Sequence, residues 1–126
     1  MSTIDPARAA APLFLIGFMA AGKTSVGRAL AAASGRRFVD LDDVIAQAGA
    51  PVAELVARDL AEFRRREAAA LADVIAGARD APIIATGGGA AGHADNLARM
   101  RAAGCVVALG VDLAEAERRA AVEQAA

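Results

Sequence analysis

A chain of 126 residues makes one domain, long enough to bury roughly two-thirds of the surface its unfolded form exposes. The apolar share is 56%, but 37 of those residues are alanine, so the chain is helix-rich with few large side chains for its core. A net charge of −1 and the lack of Trp and Tyr argue against nucleic acid or an anionic membrane as the main partner. The single cysteine, Cys105, excludes a disulfide framework and fits a reducing cytoplasm.

The apolar run from Ala9 to Ala21 follows Arg8 in the manner of a secretory leader. Pro12 interrupts it, Asp5 offsets Arg8, and it is too short to cross a bilayer. Gly22-Lys23-Thr24-Ser25, which follows it, gives a better explanation, with a strand over Leu13 to Ile16 closed by Gly17. From Lys23 the period becomes helical, with Val26, Leu30 and Ala33 on one face and Gly35 as the stop. Arg37 to Asp40 reads as a second strand, and Asp42 to Ala57 as a helical stretch broken around Gly49 and Pro51. A long helix over Leu60 to Ala78 carries an apolar stripe of Phe63, Leu71, Val74, Ile75 and Ala78. Pro82 to Thr86 forms a third strand, Asp95 to Ala103 a helix, and Cys105 to Leu109 a fourth strand with Cys105 in the core. Asp112 caps a final helix. This alternation predicts one α/β domain over residues 1–126, a parallel sheet between helical layers, with ligands at the carboxyl ends of its strands.

The polar and glycine-rich segments fall at that rim. Gly17-Phe18-Met19-Ala20-Ala21-Gly22-Lys23-Thr24 matches the phosphate-binding loop, in which backbone N–H groups and a helix N-terminus converge on one anionic volume. Lys23 neutralises β- and γ-phosphate oxygens there, and the Thr24 hydroxyl can ligate Mg²⁺. Asp40 and Asp42, two apart on an extended segment, face the same side, so one could hold Mg²⁺ and the other accept a proton from an attacking alcohol. Capping of the next helix by Asp42 or Asp43 is the competing explanation. In Arg64-Arg65-Arg66-Glu67, Arg65 and Arg66 read as solvated, whereas Glu67 lies on the apolar stripe and needs a partner that Arg64, three residues earlier, can provide. Such an Arg suits bidentate capture of a substrate carboxylate, and a plain structural ion pair stands equally open. Gly87, Gly88 and Gly89 offer backbone N–H groups for close approach of a small polar ligand, or else a flexible turn. His93 reads as a solvated turn residue, and Phe63 as core at the edge of a pocket.

Together, Gly-Phe-Met-Ala-Ala-Gly-Lys-Thr-Ser-Val-Gly-Arg, Phe-Val-Asp-Leu-Asp, Phe-Arg-Arg-Arg-Glu and Ala-Thr-Gly-Gly-Gly resemble, in order and spacing, the shikimate kinase family over residues 12 to about 119. The resemblance implies a P-loop NTPase-type three-layer α/β/α fold, with four strands here in the order 2-3-1-4. It implies transfer of the ATP γ-phosphoryl group to the 3-hydroxyl of shikimate. ATP would be held by Gly17, Ala20, Ala21, Gly22, Lys23, Thr24 and Ser25, and Mg²⁺ by Thr24 and Asp40. Shikimate would meet Asp42, the candidate base, together with Arg64 and Gly87, Gly88 and Gly89, with Glu67 orienting Arg64.

The sequence departs from the family at Ala20, where Gly is usual, at a shortened segment between Asp42 and Phe63, and at Asp59-Leu60 in place of Gly-Glu. Family members continue beyond the helix at Asp112 to Ala126 into a lid carrying an Arg, a fifth strand, a further substrate-binding Arg and a terminal helix. The expectation is therefore a chain without these parts that binds both ligands but turns over slowly, and is a monomer or a weak dimer through the edge strand at Cys105 to Leu109. The alternatives are a ligand-binding or regulatory module with little catalysis, a kinase for another small molecule such as gluconate, and a non-functional fragment.

Overall fold

The computed structural model describes residues 11–17, 22–49, 51–93 and 95–110. The helix expected at Asp112 to Ala126 and loop residues Phe18, Met19, Ala20 and Ala21 lie outside the described residues. The strands are β1 (Leu13–Ile16), β2 (Phe38–Asp40), β3 (Ile83–Ala85) and β4 (Cys105–Ala108). The helices are α1 (Lys23–Ser34), α2 (Leu41–Gln47), α3 (Val52–Arg58), α4 (Leu60–Ala76) and α5 (Asn96–Ala103), with a 3₁₀ turn at Ala90–Gly92. All strand pairs are parallel, in the order β2-β3-β1-β4. Helices cover both faces, giving the three-layer P-loop arrangement.

Register explains how so few large side chains fill two cores. Phe38, Ile83 and Leu13 align across three strands, as do Val39, Ile84 and Phe14 one residue later. Successive residues point to opposite faces, so the first row packs with Leu15 and Ala31 beneath α1. The second row joins Leu41, Ile45, Leu55, Phe63, Leu71 and Met100 beneath α2 to α5. Every residue of β3 is buried, as a strand covered on both faces requires.

The expected buried stripe of α1 is corrected. Val26 and Leu30 are 37% and 40% exposed, Ala33 is exposed, and the sheet side is formed by Gly27 and Ala31. A Cβ on Gly27 would strike the Phe38 ring, so the helix lies too close to the sheet for large residues on that face. Gly35 ends α1 as expected, at φ 72° with its N–H on the Ala31 carbonyl.

The Asp40–Asp42 segment is corrected too. The extended chain stops at Asp40, and α2 begins at Leu41. The capping residue is Asp40 itself, whose Oδ1 accepts from the Asp42 N–H at 3.0 Å. Asp59 likewise caps α4, accepting from the Glu62 N–H at 3.1 Å. Arg65 is exposed as expected and Arg66 half-buried, and both pair with Glu62. Cys105 is half-buried rather than core, because β4 ends the sheet order and its last two residues are exposed.

Candidate functional site

The carboxyl ends of β1, β2 and β3 open onto a cleft of about 620 Å³. Its walls collect Gly22, Lys23, Thr24 and Ser25 from the start of α1, Asp40 and Asp42 from the β2–α2 junction, and Arg64 and Glu67 from α4. Gly87, Gly88 and Gly89 come from the loop after β3. Every described residue assigned to the site from sequence lines this one cleft except Gly17, which follows β1 and meets Lys23 directly.

On the α1 side, Gly22 precedes the helix at φ 87°, a conformation that favours glycine and turns the chain abruptly into it. The helix N-terminus, with its unsatisfied N–H groups, therefore faces the cleft. Lys23 Nζ donates to the Gly17 carbonyl at 2.6 Å, so the ammonium folds over the start of the loop. The Thr24 hydroxyl and the Asp40 carboxylate supply hard oxygen donors to the same volume. Mg²⁺ sites of this kind use few protein ligands beside phosphates and water, so this donor set fits the ion.

On the other side, Arg64 Nη1 donates to Glu67 Oε1 at 2.8 Å. Glu67 is 0% exposed and Arg64 24%, so a buried carboxylate fixes a guanidinium that still reaches solvent in the cleft. The glycine loop packs directly on these charges. A Cβ on Gly87 would lie 3.2 Å from both Asp42 Oδ1 and Glu67 Oε2, and one on Gly89 would collide with Arg64 Nη2. Among the described residues, Asp42 Oδ1 and Glu67 Oε2 are the buried side-chain oxygens with no hydrogen-bond partner.

Burial raises the Asp42 carboxyl above its ordinary value, the nearby negative charges of Asp40 and Glu67 raise it further, and Lys23 opposes them. A carboxylate with raised proton affinity beside an alcohol suits general-base work. Thr86 anchors the loop upstream, its N–H and hydroxyl both donating to the Leu15 carbonyl at 3.1 and 3.0 Å.

Sequence reasoning missed the apolar wall formed by Val52, Val56 and Ala85. Val52, Leu55 and Val56 at i, i+3 and i+4 marked an apolar helix face, but Leu55 alone turns fully into the core. Phe63 serves both roles, 5% exposed and lining the cleft. His93 ends the 3₁₀ turn outside the cleft lining.

A family model described as shikimate kinase matches residues 19–125. The chain belongs to the shikimate kinase family. It is 44% identical over 110 residues to a shikimate kinase from Bordetella pertussis, covering 86% of this chain and 51% of that protein. Another, from Symbiobacterium thermophilum, is 45% identical over 102 residues, covering 79% and 58%. The chain thus spans about half the length of these curated relatives. Its fold matches a shikimate kinase from Acinetobacter baumannii solved in complex with shikimate, at TM-score 0.84 and 34% identity over 94% of this chain and 68% of that one.

Proposed function

We propose that this chain forms the nucleotide- and acceptor-binding core of a cytoplasmic shikimate kinase, which transfers the γ-phosphoryl group of ATP to the 3-hydroxyl of shikimate. The observation that carries this reading is the buried Glu67 fixing Arg64 beneath the glycine loop, in the same cleft as Lys23, Thr24 and Asp42.

Lys23 and the N–H groups at the start of α1 receive the phosphates, with Gly17, Gly22, Thr24 and Ser25 around them; Ala20 and Ala21 are assigned to the same role by their place in the sequence motif. Thr24 and Asp40 would hold Mg²⁺, which when bound supplies charge neutralisation to the phosphate oxygens. Arg64 takes the shikimate carboxylate, and the backbone of Gly87, Gly88 and Gly89 borders the ring. Asp42 accepts the proton of the attacking hydroxyl as the new O–P bond forms and the β,γ-bridging bond breaks, with ADP leaving. Val52, Val56 and Phe63 give the ring an apolar wall that excludes water.

The test is calorimetric titration with shikimate, with and without a non-hydrolysable ATP analogue and Mg²⁺. The expectation is that both ligands bind, that Arg64→Ala loses shikimate, and that Lys23→Ala loses nucleotide. A folded wild-type chain that takes up no shikimate would sink the substrate assignment.

A further inference from the structure

We infer that Asn96 is a positioning residue for the glycine loop, pinning its downstream end so that Gly87 and Gly89 keep their places against Asp42, Glu67 and Arg64. Its binding consequence rests on the shikimate reading of the cleft; its structural part does not. Asn96 opens α5, is 1% exposed, and lies outside the cleft lining. A buried side-chain amide needs partners, and Asn96 Nδ2 donates to the Ala90 carbonyl at 3.0 Å. Ala90 is itself fully buried, and its N–H returns to the Gly87 carbonyl at 3.1 Å.

Three consecutive glycines carry the largest backbone entropy of any tripeptide, so their placement has to be enforced from outside. Thr86 does this upstream by bonding to β1. Asn96 does it downstream, tying the turn to a helix rooted in the core through Met100. The placement matters because the fit is close. Gly87 lies against two unpartnered carboxylate oxygens and Gly89 against the guanidinium. A small drift of the loop would alter the acceptor side while leaving the phosphate side, on a different element, untouched.

Asn96→Ala, and Asn96→Leu as the variant that keeps the branching at Cγ but lacks the amide, separate these effects. Hydrogen exchange at the Ala90, Gly92 and His93 amides, the donors within the turn, is expected to quicken by about tenfold in both. Affinity for shikimate is expected to fall about tenfold, with that for the ATP analogue changed by less than about twofold. Unchanged loop exchange in a folded variant overturns the inference, as does parallel loss of both affinities. So does failure of both variants to fold, which would make Asn96 a residue of general stability. If the wild-type chain binds no shikimate, the substrate reading fails, and the exchange measurement alone still decides whether Asn96 pins the loop.

Discussion

The phosphate side of the cleft is made of neighbours in sequence: Gly22, Lys23 and Thr24 follow one another at the start of α1. The acceptor side draws Asp42, Arg64, Glu67 and Gly87 to Gly89 from three separate elements, and it depends on a carboxylate taken wholly out of water. On the proposed reading, the first kind of site would recognise its ligand through backbone groups and one cation near solvent. The second holds Arg64 by a buried charge and by the lack of side chains on a loop. Damage to the first should cost ligand affinity alone, whereas damage to the second should cost affinity and fold stability together.

The largest expected effect tests that distinction directly. Arg64→Leu leaves the Glu67 carboxylate buried without its cation and should cost about 3 kcal/mol of stability. Lys23→Leu, at a partly exposed position, should cost less than about 1 kcal/mol. Urea denaturation of the two variants measures the contrast, and equal losses would erase it. Gly89→Ala sharpens it without touching a charge. The new methyl must displace the Arg64 guanidinium, so about 1–2 kcal/mol should be lost, with weaker shikimate binding and nucleotide affinity retained. Retained shikimate affinity would show that the loop gives way freely.

The smallest effect has the opposite sign. The raised proton affinity of Asp42 means that the folded state holds its proton to higher pH than the unfolded chain does. Stability is therefore lost as pH climbs from the ordinary carboxylate range through the raised value. Asp42→Asn removes that loss and should raise Tm at pH 7 and, on the proposed reading, remove turnover. The gain should shrink as pH falls below the ordinary carboxylate range, where Asp42 is protonated in both states. A gain that grows on acidification would contradict the burial argument.

Much of the site was legible because its signals are short-range. The phosphate loop is a contiguous pattern, and the Arg64–Glu67 pairing follows from three-residue spacing on a helix whose apolar stripe leaves Glu67 no solvent. What escaped depended on how closely elements approach. Val26 and Leu30 form as good an apolar face as any by period. Gly27 against Phe38 shows that α1 sits on the sheet by a face of small residues, which periodicity of large ones cannot reveal. The strand ends at Asp40 as its pattern implies, but α2 begins at Leu41 with no extended residue between them, so Asp40 also caps the helix, a role its strand position does not reveal.

The amino-acid sequence by itself determined the order of strands and helices, the phosphate loop and the ion pair of α4, since each follows from contacts within a few residues or one helical turn. Tertiary structure alone decided that Gly87 lies against both Asp42 and Glu67, that Val52 and Val56 wall the cleft, and that Asn96 reaches Ala90. Those juxtapositions are set by how closely packed elements can approach one another, a property of shape in three dimensions that no local period encodes.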